Sequence, residues 1–191
     1  ALDASTCTRC RLSQGRTQVV YGVGDPNADL MFIGEAPGFH EDKQGEPFVG
    51  AAGQLLNQLL TEIDVPRDDV YINNVILCRP PGNRDPLPDE LEACKPWLDE
   101  RVALIDPAVV VTLGNWATRY ILGKQVSISR VRGQRFPWSG RTVIPTFHPA
   151  AVLHGGGQAS NQMTALRADF LEIRRALAER PQPAEEQLGL F

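Results

Sequence analysis

The sequence predicts an α/β fold with a central parallel sheet of four strands covered by helices on both faces. Four short segments are apolar at nearly every position, the pattern of strands buried on both sides. Stretches with helical periodicity alternate with them. At 191 residues and 42% apolar, the chain can bury one core of ordinary size, which makes a single domain the expectation.

The first 28 residues read as irregular, with Cys7-x-x-Cys10 followed by Gly15, Gly22, Gly24 and Pro26. Leu30-Met31-Phe32-Ile33, ending at Gly34, is the first strand. Gly50 to Ile63 repeats apolar residues at helical spacing, with Leu55, Leu56, Leu59, Leu60 and Ile63 on one side. Val70-Tyr71-Ile72 through Val75-Ile76-Leu77 is the second strand, broken after Cys78 by Pro80-Pro81-Gly82. Pro88 at a helix start, with Leu91, Trp97, Leu98, Val102 and Ile105 behind it, predicts a helix from about Asp89 to Leu104. Val109 to Leu113 is the third strand, followed by Gly114 and a helix that stops near Gly123. Thr142 to Phe147 is the fourth strand, and Met163 to Ala178 the last helix. The domain is expected to span 1–179. The tail 180–191 is rich in Pro, Gln and Glu and is expected to be flexible.

No apolar run reaches the length of a membrane span, and the first residues lack the charged-then-apolar layout of a secretory signal. Taken as beginning near its natural start, the chain is expected in the cytoplasm. A net charge of −4 counts against nucleic acid, whose binders are usually basic. Locally the balance reverses: Arg119, Lys124, Arg130, Arg132, Arg135 and Arg141 fall in a stretch without Asp or Glu. Such a stretch either faces a phosphate backbone or is a solvated surface whose acids come from elsewhere in space.

In parallel α/β sheets, ligands sit beyond the carboxyl ends of the strands. Here that rule gathers Gly34-Glu35-Ala36-Pro37-Gly38, Asn73-Asn74, Gly114-Asn115 and His148-Pro149 at one rim. Each is ambiguous alone. The first is a tight turn that can aim amides and a carboxylate into a cleft. Asn73-Asn74 can cap the next element or bind a ligand, and His148 can be structural or catalytic. The loop 41–50 reads as polar, with one anchored aromatic, Phe48.

Cys7, Cys10, Cys78 and Cys94 are the only cysteines. Without an export signal, a metal centre is a better account than disulfides. Structural zinc usually takes two short Cys-x-x-Cys knuckles, and only Cys7 and Cys10 form one. Iron–sulfur, zinc and unligated buried thiols therefore all stay open on spacing. Arg9, Arg11, Arg79 and Lys95 lie within two residues of a cysteine, which suits the negative charge of four thiolates with either metal.

Taken together and in order, the segments are far more specific. Gly34-Glu35-Ala36-Pro37-Gly38-x-x-Glu41-Asp42, Pro47-Phe48-Val49-Gly50-x-Ala52-Gly53, Val70-Tyr71-Ile72-x-Asn74, Cys78-Arg79-Pro80-Pro81-x-Asn83-Arg84 and Phe147-His148-Pro149-Ala150 resemble family 4, the bacterial iron–sulfur uracil-DNA glycosylases. The resemblance spans about residues 5 to 178. It implies a three-layer α/β/α sandwich and a 4Fe–4S cluster on Cys7, Cys10, Cys78 and Cys94. It also implies excision of uracil from single- or double-stranded DNA by a monomer. By the same resemblance, Phe48 stacks on a uracil turned out of the helix, and Asn74 reads its edge. His148 stabilises charge on the departing base, Glu35 holds or activates the water, and Glu41 and Asn83 shape the pocket. Ala36 stands where the best-known uracil glycosylase family has Asp. Leu153, in the glycine-rich loop expected after Pro149-Ala150, is expected to wedge into the base stack. A related subgroup that traps DNA covalently carries a His between the positions of Cys78 and Cys94. This chain has none there, so a turning-over hydrolase is expected. Gln187-Leu188-Gly189-Leu190-Phe191 resembles the motif by which bacterial proteins dock on the replication sliding clamp; the alternative is that these apolar residues fold back onto the domain.

Two rivals follow from the residues. A non-enzymatic DNA-binding module stapled by a four-cysteine zinc site would explain the cysteines and the basic stretch, but not Glu35, Asn74 and His148 at one rim. A nucleotide-binding enzyme lacks its phosphate loop, since Gly22-Val23-Gly24 precedes the first strand.

Overall fold

Every residue of the strand Leu30–Gly34 is buried, and successive side chains join different cores. Leu30 and Phe32 enter one cluster, Met31 and Ile33 the other. This is what a strand without polar alternation must do: both faces need a cover. The computed structural model describes residues 2–179. The elements are α1 (Leu2–Ser5), β1 (Val23–Gly24), β2 (Leu30–Gly34), α2 (Phe39–Gln44), α3 (Ala51–Glu62), β3 (Tyr71–Asn74), α4 (Pro88–Ile105) and β4 (Val109–Leu113). After them come α5 (Gly114–Leu122), α6 (Ile128–Val131), β5 (Phe136–Trp138), β6 (Arg141–Thr146), α7 (Pro149–His154) and α8 (Asn161–Ala178).

One face of the sheet packs Phe32, Ile72, Val111 and Ile144 against Leu55, Leu56, Leu59 and Leu60 of α3 and Met163, Leu166, Phe170 and Ile173 of α8. The other packs Met31, Ile33, Val110 and Val143 against Trp97, Leu98 and Val102 of α4 and Ala117 and Ile121 of α5. Each buried Val, Leu, Ile, Phe or Met side chain contributes roughly 1.5–3 kcal/mol. The three layers expected of an α/β/α sandwich are present.

Strand order is β1-β3-β2-β4-β6-β5. The four central strands are mutually parallel, as expected. Two antiparallel edges are added that the sequence did not announce. β1 is two residues long inside a segment read as irregular, and β5 carries Pro137. The second strand is also shorter than expected, because pairing in the ladder stops at Asn74. Val75 and Ile76 instead donate to Gly34 O and Glu35 O, at 2.9 and 3.2 Å, and follow the turn that leaves β2. α4 starts at Pro88 and runs through Pro96, and α8 starts at Asn161, capped by Ser160 Oγ accepting from Met163 N at 3.1 Å.

Candidate active site

β3 lies on one side of β2 and β4 on the other, so the winding reverses between β2 and β4, the place where open sheets hold ligands. An open cleft is lined there by Glu35, Ala36, Glu41, Phe48, Asn74, Asn83 and His148. Each of the predicted catalytic and base-contacting residues thus reaches one cleft.

Phe48 is held in place by its loop. Its φ of 55° is left-handed, a costly conformation for a bulky residue, so neighbours must impose it. Glu41 Oε1 accepts from Val49 N and Gly50 N, both at 3.1 Å. Arg67 Nη2 donates to Pro47 O at 2.9 Å. Gly53 lets α3 approach the Phe48 backbone, where any Cβ would collide. Gly34 does the same beneath the ring: its Cβ would come within 2.8 Å of Phe48 Cζ and overlap Asn74 Oδ1. Glu41 therefore shapes the cleft by tying down the aromatic. The Phe48 and His148 rings stack, centroids 5.6 Å apart at 27°.

Asn74 is 2% exposed, and its Oδ1 is buried without a partner. A buried acceptor left unpaired costs about 1–3 kcal/mol, a cost normally removed by a bound group.

His148 caps α7. Its Nδ1 accepts from Ala150 N at 3.2 Å, so in the neutral ring the proton sits on Nε2. Burial pushes its pKa down to about 4 and so keeps the ring neutral near pH 7, although the charge of Glu41 acts in the opposite direction. Glu35, half-buried at the end of β2, moves the other way. Burial first and Asp85 second push its pKa up to about 7. The cleft thus holds a neutral N–H donor and a carboxyl group poised to take a proton, a separation of roles typical of active sites.

The Uracil DNA glycosylase superfamily profile matches residues 21–172. A type-4 uracil-DNA glycosylase of Sulfurisphaera tokodaii is 48% identical over 90% of this chain and 80% of its own length. Type-4 enzymes of Thermotoga maritima and Saccharolobus solfataricus are 44% and 42% identical, over 91% and 94% of this chain and 90% and 85% of theirs. The chain belongs to the type-4 uracil-DNA glycosylases.

In this glycosylase, Cys7, Cys10, Cys78 and Cys94 line one small cavity, with Leu77, Ala93, Arg9 and Arg16. Among the described residues no three His, Cys, Asp or Glu side chains are gathered tightly enough for a single ion. Burial raises the Cys78 pKa and pushes Cys94 up to about 11, so thiolates here need a nearby positive charge. Of the four cations near the cysteines in sequence, only Arg9 lines the cavity. Arg9 lies 4.6 Å from the Trp97 ring centroid, Arg11 pairs with Asp89 at 2.8 Å, Arg79 Nε donates to Asn83 Oδ1 at 2.7 Å, and Lys95 pairs with Asp99. Arg16, which sequence proximity missed, donates to Cys78 Sγ at 3.4 Å and to Cys7 O at 2.6 Å.

Other glycosylase residues were also hidden in the sequence. Thr146 Oγ1 donates to Asp169 Oδ2 at 2.5 Å, and Arg132 Nε to the same atom at 2.9 Å, which fixes the strand end two residues before His148. At the cleft mouth Phe39 is 46% exposed, with Lys43 and Arg79 at 4.4 and 5.1 Å from its ring centroid. Three cations of the basic stretch find acids on other elements. Arg132 pairs with Asp169, Arg135 with Glu172 and Glu179, and Arg141 with Asp106. Leu153 lies within α7, not in a loop, half-buried against the core. The tail from residue 180, with its clamp-like pentapeptide, lies outside the described residues.

Proposed function

We propose that the chain removes uracil from DNA by hydrolysing the N-glycosidic bond of a nucleotide rotated out of the stack, leaving an abasic site for base excision repair. The buried, partnerless Asn74 Oδ1 beside the neutral His148 carries this reading. An Asn amide accepts from uracil N3–H and donates to O4, whereas cytosine presents an acceptor at N3 and an amino group at C4. Phe48 stacks on the ring. As the C1′–N1 bond breaks, its electron pair passes to the base, and His148 Nε2–H donates to O2, where charge collects. Water attacks C1′ and yields its proton to the Glu35 carboxylate. Ala36 places no acid in the cleft and Glu41 Oε1 is held by Val49 N and Gly50 N, which favours Glu35 as the proton acceptor. Glu41 and Asn83 shape the walls.

The four cysteines, as thiolates, would hold a 4Fe–4S cluster. The four cysteines line one cavity, and only one Cys-x-x-Cys knuckle is among them, which supports this group over structural zinc. Bound there, it supplies a staple between the N-terminal segment, the chain after β3 and α4. Leu153 would fill the gap left by the flipped base, which requires it to swing outward. Phe39, Lys43 and Arg79 would meet the flanking strand. No helix among the described residues is long and apolar enough to cross a membrane. We assign the enzyme to the cytoplasm as a monomer, with residues 187–191 docking on a sliding clamp. Deleting those residues should abolish clamp binding in calorimetry and leave excision unchanged.

The test is incubation with a uracil-containing oligonucleotide, then alkali and sizing of the strands. Cleavage at uracil alone is expected; intact strands would overturn the assignment.

A further inference from the structure

Arg101 is among the largest fully buried side chains of the described residues, 1% exposed. A guanidinium stays charged, and holding it away from water without an opposite charge is expensive. Its Nη1 donates to Tyr21 O at 2.5 Å and its Nη2 to Asn74 O at 3.1 Å. It lies over the Tyr21 ring, 5.0 Å from the centroid, and its Nε is buried without a partner. Carbonyl oxygens and a ring face offer partial charges only. The neighbouring Glu100 is exposed. Burial pulls the Arg101 pKa down accordingly.

A source of opposite charge is the cysteine cavity, whose lining carries Arg9 and Arg16 but not Arg101 itself. Cys94 precedes Arg101 by seven residues in α4, two turns away on the same helix face. Cys78 follows Asn74 by four residues. The end of β3 and the helix α4 are thus joined twice, by the Arg101–Asn74 hydrogen bond and across the cysteine cavity.

We propose that Arg101 is a positioning residue: a buried cation that neutralises an anionic metal–thiolate group in the cysteine cavity and, through Asn74 O, fixes the base-reading amide relative to it. The inference rests on the cysteine and Asn74 assignments made above. Four thiolates leave net negative charge around an iron–sulfur core or a zinc ion alike, so either satisfies it. The cavity group would then support uracil reading without touching the base.

The test compares the parent, Arg101→Met and Arg101→Lys, each purified with its bound metal. Four quantities are read: metal per chain with its visible absorbance, metal release under a chelator, inhibition by free uracil, and affinity for undamaged DNA. Arg101→Met should release metal about tenfold faster and bind uracil about tenfold more weakly, with DNA affinity within about twofold. Arg101→Lys should restore metal retention, because the charge returns. It should not restore uracil binding, because an ammonium lacks the planar fork that spans Tyr21 O and Asn74 O. Parent-like uracil binding and metal release in Arg101→Met would overturn the proposal, as would losses in DNA affinity that match those for uracil. Should Arg101→Met prove insoluble, parent-like uracil binding by Arg101→Lys overturns it and weakened binding with metal retained supports it. A parent that holds no metal refutes the cysteine assignment, and this inference with it. A metal-bearing parent that free uracil does not inhibit refutes the base-reading assignment instead, and with it the Asn74 link.

Discussion

Asp169 and Asn74 are both 2% exposed polar residues close to strand ends, yet they are treated in opposite ways. Asp169 accepts from Thr146 and twice from Arg132, so its oxygens are satisfied inside the protein. Asn74 keeps its carbonyl oxygen buried and unpaired at the wall of an open cleft. A saturated buried group holds structure together, and an unsatisfied one facing a cleft waits for a ligand. The ends of β6 and β3 therefore do different work, although both come from the same sheet. Substitutions should divide along that line, into losses of rate and losses of stability.

The largest effect should come from the cleft. His148→Ala removes a donor whose bond strengthens as charge develops on the base, and single-turnover excision should fall by about 10²–10³. DNA affinity should hardly change. A rate within about threefold of the parent would remove His148 from the chemistry.

On the saturated side, Asp169→Ala leaves Arg132 without its carboxylate. Stability should drop by about 3 kcal/mol, the low end of the toll for a fully buried pair, because Arg132 is partly exposed. For a chain of this size that is a fall in Tm of about 6–12 °C. At a temperature where the variant is folded, excision should fall by less than tenfold, from a looser β6 end. An unchanged Tm would mean that the network is not the anchor it resembles.

Protonation offers a third separation. The Glu35 pKa is raised to about 7, so its base form is lost as pH falls through that value. Excision should therefore rise about tenfold per pH unit below 7 and level off above it. His148, down at about 4, should add no limb between about pH 5 and 9. Glu35→Gln should lower the rate and flatten the profile. A profile that keeps its limb in Glu35→Gln assigns the proton to another group.

The smallest effect is expected at the rim. Phe39→Ala should raise KM for single-stranded substrate about fivefold with kcat kept, the scale of one stacked base. Equal KM values would exclude contact between Phe39 and the strand.

What the sequence made legible follows from what is local. The four central strands were readable because their segments are apolar throughout, and both sheet faces proved to be covered. The cleft was readable because strand ends bring Glu35, Asn74 and His148 together by topology. The edges β1 and β5 were not, since two or three residues with Gly or Pro leave no period to detect. Asp169 and Arg101 were hidden for another reason. Each lies on a helix, and its polar partners are 23 to 80 residues away in sequence, so nothing local marks it as buried. The basic stretch stayed ambiguous for the same reason, because its counter-charges sit on other elements.

The central claim is that the unpaired amide of Asn74 selects uracil, and Asn74→Asp tests it most directly. Single-turnover excision should be followed on oligonucleotides that differ only in carrying uracil or cytosine at one position. A carboxylate cannot donate to uracil O4 but can accept from the cytosine amino group. The account predicts that Asn74→Asp loses uracil excision by at least about tenfold and gains measurable release of cytosine. A variant that keeps the parent's uracil rate, with no release of cytosine, would contradict it.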